Sequence, residues 1–340
     1  MRKVVFAGSA LAGIAWIILY PAHAQQMSEY RIAFASNIDG GWEIYLMDVS
    51  GGNRVNLTNN QRADYYPSWS PDGARIVFFS TRDGNNEIYV MDADGGHQTR
   101  LTDSPASDKA PCWSPDGAKI AFSSNRDGNY DIHVMDTDGD AQRNLTNTPA
   151  DEETPAWSPD GMRIAFASKR DGNWEIYTMD DEGNHQTRLT NDPAMDSYPA
   201  WSPDGTKIAF TSMRDVDMEI LVMPADGGEP VNLTRNQVDD AVPSWSPDGA
   251  KIAFQHEVDG NWTIAVMDAD GGNQEVLTDA SAWYAQPKWS PVASHFAAVN
   301  QTFRAVITTW GGIKADRIGK DQKASETVNG PFTHRYLVVH

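Results

Sequence analysis

The chain has 340 residues, with 47 acids against 27 Lys and Arg and a formal net charge of −20. So acidic a chain is a poor partner for nucleic acid or an anionic membrane surface, since each phosphate it approached would be repelled. A single cysteine, Cys112, excludes a disulfide framework, so packing alone must hold the fold.

Residues 1–24 stand apart. Arg2 and Lys3 precede an apolar run from Val4 to Tyr20, and Ala22-His23-Ala24 is the small-x-small pattern that signal peptidase cuts. The expectation is a cleaved secretory signal and a mature chain starting near Gln25, in a bacterial periplasm or secreted. Losing Arg2 and Lys3 and no acid takes the net charge from −20 to −22. The run falls short of the roughly 20 apolar residues a span needs, and no later stretch is apolar enough to cross a bilayer. No membrane span is expected after cleavage.

Tryptophan then recurs at positions 69, 113, 157, 201, 245 and 289, always 44 residues apart. A period of this length with four strand-like runs per copy marks a β-propeller blade. In the copy from Pro67 to Thr102, Pro67-Ser68-Trp69 (strand A) ends at the turn Ser70-Pro71-Asp72-Gly73. Strand B, Arg75 to Phe79, is β-branched and aromatic and ends at Arg82-Asp83-Gly84-Asn85. Strand C, Glu87 to Met91, stops at Asp92-Ala93-Asp94-Gly95-Gly96, and strand D holds Thr99 to Thr102.

The chain opens with B, C and D runs (Ile32-Ala33-Phe34, Glu43 to Asp48, Val55 to Thr58) that lack a strand A. It closes on Lys288-Trp289-Ser290-Pro291, a strand A without partners. Together they complete an all-β, six-bladed propeller of four-stranded antiparallel blades over residues 28–300, latched by its two chain ends. A seventh blade from the degenerate run 296–310 is the alternative. Residues 301–340 carry six Lys or Arg against three acids and are expected to form a poorly ordered tail.

The run from Trp157 to Asp180, Trp-Ser-Pro-Asp-Gly followed by Ile164-Ala165-Phe166, Arg170-Asp171-Gly172-Asn173 and Glu175-Ile176-Tyr177, resembles the WD40-like PD40 repeats of TolB propellers. The resemblance covers residues of about 30 to 291. It implies a periplasmic protein that binds partner proteins, with a peptide segment able to enter the channel. TolB proper carries an α/β domain before its propeller, and here the repeats begin within about ten residues of the expected cleavage site. Propeller peptidases built on this repeat need a Gly-x-Ser-x-Gly elbow, and the sequence has none.

Five residues before each Trp stand Asp64, Asp108, Glu152, Asp196 and Asp240, with Tyr284 in the sixth copy. If strand A is innermost, these lie at the D-to-A loops and ring one mouth of the channel. There they serve either their own loops or a partner's Lys, Arg or cation. The B-to-C turns fall on the same face and carry Trp42, Tyr130, Trp174 and Trp262, with Met218 and Asn86 in the other copies. Exposed aromatics there would make a binding face. Arg82, Arg126, Arg170 and Arg214 are expected to pair with the acids five residues on, Glu87, Asp131, Glu175 and Glu219. Cys112 fills a position held by Ser or Ala elsewhere and is expected to be a small buried residue.

No catalytic residue and no metal ligand is assigned, because no cluster of His with acids recurs at metal-ligand spacing and no nucleophile has an evident base. No cofactor is implied, although a divalent cation could sit in the channel. The expected function is therefore a noncatalytic, monomeric scaffold that binds an envelope protein or peptide with basic groups. The alternative is a metal-dependent lyase or hydrolase acting on a sugar or lactone in the channel, with His256 as the first residue to test.

Overall fold

The computed structural model describes residues 30–291. The expected signal segment 1–24, the run 296–310 and the tail 301–340 lie outside the described residues. Six four-stranded antiparallel sheets follow one another around a ring. The first five blades occupy residues 64–100, 108–144, 152–188, 196–232 and 240–276. In the sixth, Tyr284–Trp289 pairs antiparallel with Arg31–Ser36, setting Trp289 opposite Ile32 and Tyr284 opposite Ser36. The first and last described strands thus build one sheet, and the ring closes without a covalent bond.

The strand pattern follows from alternation and turn chemistry. Within the first blade, strand B (Arg75–Ser80) pairs with strand C (Glu87–Asp92), Ile76 facing Met91 and Phe78 facing Tyr89. Strand D is only two residues, Thr99–Arg100. Such a short outer strand offers little edge for a foreign chain to pair with.

Strand A runs further than the sequence suggested, from Asp64 to Trp69. Its ladder with strand B shifts between Tyr65 and Ser68, and Tyr66 at the shift has φ 55°. Ala110, Thr154, Tyr198, Val242 and Gln286 repeat this bulge at φ 51–55°. A proline follows each of them, and its missing N–H suits a break in the ladder. The bulge lets one strand carry an acid at its outer end and channel-lining residues further along.

Between sheets the core is aromatic and aliphatic. Trp69 packs with Ala33, Ile44 and Leu46 of the preceding sheet and with Ile76 and Phe78 of its own. A sheet apolar on both faces has no other way to leave water, which is why the units stack radially. Gly95 shows how closely neighbouring blades approach: at φ +89°, an added Cβ would lie 2.4 Å from the Leu57 carbonyl oxygen of the preceding blade.

Candidate binding site

The five acids expected at the channel mouth are the first residues of their A strands, and their side chains are 0% exposed. They do not form an open ring of carboxylates. Asp64 is held by Arg82 Nη2 at 3.2 Å, Asp108 by Arg126 at 3.0 Å, Glu152 by Arg170 at 3.0 Å and Asp196 by Arg214 at 2.9 Å. The same arginines donate through Nε to Ser80, Ser124, Ser168 and Ser212 at 2.8 Å. This corrects the expected Arg82–Glu87 type of pair. Ser80 faces both Asp64 and Glu87 across the sheet, and the guanidinium leans to the strand A side.

Glu87 belongs to a second row of buried acids, named in the sequence only as partners of those arginines. Its carboxylate accepts Thr102 Oγ1 at 2.6 Å, Arg100 Nη2 at 2.9 Å and the Ser104 backbone N–H at 3.2 Å. Glu175 does the same with Thr190, Arg188 and Asp192. The row ties strand C to the chain that leaves strand D. A Thr fifteen residues after each such acid was the available signal. Burial raises the carboxyls of Glu43, Glu152, Asp196, Glu219 and Asp240 above the ordinary range, and the hydroxyl, amide, guanidinium or imidazole donors around them pull back down.

Two blades depart from the rule in a revealing way. In the fifth, Val258 stands where four blades have Arg, and His256 Nδ1 reaches Asp240 at 2.7 Å instead. In the sixth, Tyr284 replaces the acid and Ile38 replaces the Arg. The acid and a basic side chain are present together or absent together, as expected if each exists to satisfy the other inside the protein.

On the same face, Trp42, Tyr130, Trp174 and Trp262 are half-buried. The Trp42 ring packs on Tyr65 of the next blade at 5.0 Å. Lys109 Nζ sits 3.8 Å over Tyr130, and Lys169 Nζ 5.9 Å over Trp174. The backbone fixes them: the N–H groups of Asp64, Glu152 and Asp196 donate to the carbonyls of Trp42, Tyr130 and Trp174 at 2.9, 2.6 and 2.8 Å. These three aromatic positions are thereby stitched to the strand A of the following blade. Exposed Trp283, Met213 and Val216 extend the apolar character of the rim.

Along the axis, Tyr66 and Tyr198 stack across the channel with ring centroids 6.5 Å apart. Burial and the facing Tyr198 hydroxyl push the Tyr66 phenol well above its usual range. Beyond them, toward the Ser-Pro-Asp-Gly turns, lies a cavity of about 310 Å³ walled by the six Trp-Ser-Pro segments. Its wall includes Ser68, Cys112, Ala156, Ala200, Ser244 and Lys288, one from each blade. Cys112, expected to be a small buried residue, is a half-buried free thiol in this wall, with loss of water around it raising its pKa.

The PD40 profile, described as the TolB beta propeller domain, matches residues 11–152, 103–196 and 140–297. The chain belongs to the TolB β-propeller family. TolB from Acinetobacter baumannii is 25% identical with a TM-score of 0.69, over 76% of this chain and 66% of that one. The chain thus spans just under two thirds of that TolB's length. A structure described as TolB from Agrobacterium tumefaciens is 25% identical with a TM-score of 0.61, over 77% of this chain and 99% of that one. An oligogalacturonate lyase in complex with manganese shares the fold alone, at 15% identity and a TM-score of 0.53, over 74% of each chain. Comparison with curated proteins gives no match. In this TolB-family chain, no group of three or more His, Cys, Asp or Glu side chains converges as metal ligands among the described residues. Nor is any helix of the described residues long and apolar enough to cross a membrane.

Proposed function

We propose that this propeller is a noncatalytic scaffold of the bacterial periplasm that docks a protein or peptide with basic groups on the face of the B-to-C turns. One observation carries the reading: half-exposed Trp42, Tyr130, Trp174 and Trp262 recur at one register position around that face, three of them fixed by backbone hydrogen bonds to or through the next blade's strand A or by packing against it. Rigid aromatics supply contact area at low entropy cost, which is what an anchor for a partner requires. The Asp64, Asp108, Glu152, Asp196 and Asp240 carboxylates would support such a face from beneath, holding loop positions. A partner's Lys or Arg would meet the loop backbones and aromatics before it met these paired acids. The basic character of the partner rests on the chain's net charge of −20 and on the resemblance to TolB propellers.

The test is affinity capture from an envelope extract, with wild-type protein and a Trp42→Ala, Trp174→Ala, Trp262→Ala variant whose melting temperature is checked first. A partner identified by mass spectrometry with wild type and lost with the variant supports the reading. Equal recovery by both would remove the aromatic face from the function.

A further inference from the structure

The axial cavity opens on the opposite face, among the Ser-Pro-Asp-Gly turns, and one residue in its wall breaks the repeat. At the register where the other blades place Ser68, Cys112, Ala156, Ala200 and Ser244, the latching strand places Lys288. Among the described residues it is the sole cationic side chain lining the cavity, and no Asp or Glu lines it. The only other Lys or Arg in a described strand A, Lys109, pairs with Glu153 at 3.0 Å; among the described residues, the Lys288 ammonium has no hydrogen bond and no ion pair. Loss of water around it pulls its pKa below the ordinary lysine range, with only the Cys112 thiol opposing. The blades on either side place Ser68 and Ser244 at the same register of the cavity wall. The remaining wall is mainly prolyl and indole surface, with the hydroxyls of Ser114, Thr154 and Ser158 and the Cys112 thiol, and the Tyr66–Tyr198 stack also lines it.

We propose that this cavity is a site for a free carboxylate on an apolar or aromatic body, with Lys288 as its counter-ion and Ser68 and Ser244 as hydrogen-bond donors. An uncompensated ammonium in a confined apolar cavity is costly, and a carboxylate seated beside it removes that cost through a charge-assisted hydrogen bond. One cation with neutral neighbours matches one negative charge, which favours a carboxylate over a phosphate dianion. A volume of about 310 Å³ fits a small organic acid or the last residue of a peptide. The site lies across the ring from the aromatic face and does not depend on the docking reading.

The six cavity tryptophans report on it through their fluorescence. The probes are N-acetylphenylalanine, its neutral amide and a tetrapeptide ending in free phenylalanine. The expected result is saturable binding of the acids, with the amide and the Lys288→Met variant each weaker by about tenfold or more, which is about 1.4 kcal/mol. Lys288→Arg should retain binding. Tighter binding of the tetrapeptide would assign the carboxylate to a peptide terminus, and tighter binding of N-acetylphenylalanine would assign it to a small acid. Equal binding of acid and amide by wild type, or no binding of either acid at millimolar concentration, would overturn the proposal. Both outcomes are read on unmutated protein, so a folding defect in a variant leaves them intact.

Discussion

His256 Nδ1 lies 2.7 Å from Asp240 Oδ1, where four other blades bring an arginine guanidinium to the equivalent acid. The fifth blade lacks the Arg because Val258 fills its position, and the imidazole reaches the carboxylate from strand B in place of Ser. His256→Ala should therefore strand a fully buried carboxylate and lower stability by about 2–3 kcal/mol at neutral pH. Restoring the repeat with His256→Ser and Val258→Arg should recover most of that loss. Urea denaturation of the three proteins decides it; an Ala variant as stable as wild type would show the pair to be incidental.

The pH course of that defect has a definite sign. Burial already holds the Asp240 carboxyl above the ordinary aspartate range, and His256 is the first of the groups that pull it down. In His256→Ala the folded pKa rises further above an unfolded value near 4. A raised folded pKa contributes stability below the unfolded value, and that contribution is lost as pH rises through the folded one. The difference from wild type should be largest at neutral pH and shrink as pH falls toward 4. Denaturation midpoints at three pH values measure it, and a gap that widens in acid would contradict the assignment.

The Pro-Asp-Gly turns act in the other direction. Asp72, Asp116, Asp160 and Asp204 accept from the hydroxyls of Ser70, Ser114, Ser158 and Ser202 at 2.5–2.6 Å and from a backbone N–H two residues on at 3.0 Å. These bonds hold all four carboxyls below the usual range, Asp204 at about 2. A depressed folded pKa gives stability that is complete above the unfolded value and is lost as pH falls through the folded one. Changing all four to Asn should flatten the fall in stability between about pH 4 and pH 2. Because the groups are exposed, each is worth only a few tenths of a kcal/mol. An unchanged acid limb in chemical denaturation would show that the turns carry no such linkage.

The ring, its six blades and its latch were legible because they rest on features with a fixed period: the Trp at every 44th residue, the Pro-Asp-Gly turns and a strand A orphaned at one end. The binding face was only partly legible. Position 64 and its equivalents read as a loop because Pro67 looked like the start of the strand, and a bulge at Tyr66 lies between the two. Without that bulge the acids appear to face the channel; with it, Asp64 enters the blade beside Ser80 and meets Arg82. The covariation of Tyr284 with Ile38, and of His256 with Val258, was in the sequence and would have named the partner. Lys288 was equally visible as the odd residue in its column, but only the closed ring shows that the column faces a cavity.

Glu175 tests whether the second row of acids is a structural hub. Its carboxylate accepts Arg188 Nη2 at 2.6 Å and Thr190 Oγ1 at 2.6 Å while wholly buried. Glu175→Gln keeps the shape, removes the charge opposite Arg188 and replaces one acceptor by a donor. A loss of about 2 kcal/mol is expected, with faster amide hydrogen exchange in residues 187–192 than in strand B of the same blade. Uniform exchange across the blade would mean that the row does not anchor its outer edge.

Three glycines grade the contact between blades. Gly84, Gly95 and Gly227 all have positive φ, +104°, +89° and +88°, so an Ala at any of them bears a similar backbone strain of about 1–2 kcal/mol. Their surroundings differ. A Cβ on Gly84 meets nothing within 4 Å, one on Gly227 lies 3.6 Å from the Leu189 carbonyl oxygen, and one on Gly95 would stand 2.4 Å from that of Leu57. Neither backbone in the last contact can yield without separating two sheets, so overpacking adds about 2 kcal/mol more. Urea midpoints should fall in the order Gly84→Ala, Gly227→Ala, Gly95→Ala, the first two close together. Because this outer contact sets the spacing of adjacent blades, Gly95→Ala should also lower the unfolding cooperativity, seen as a smaller m-value. Equal midpoints for Gly84→Ala and Gly95→Ala would mean that the blades are not held at the separation the ring requires.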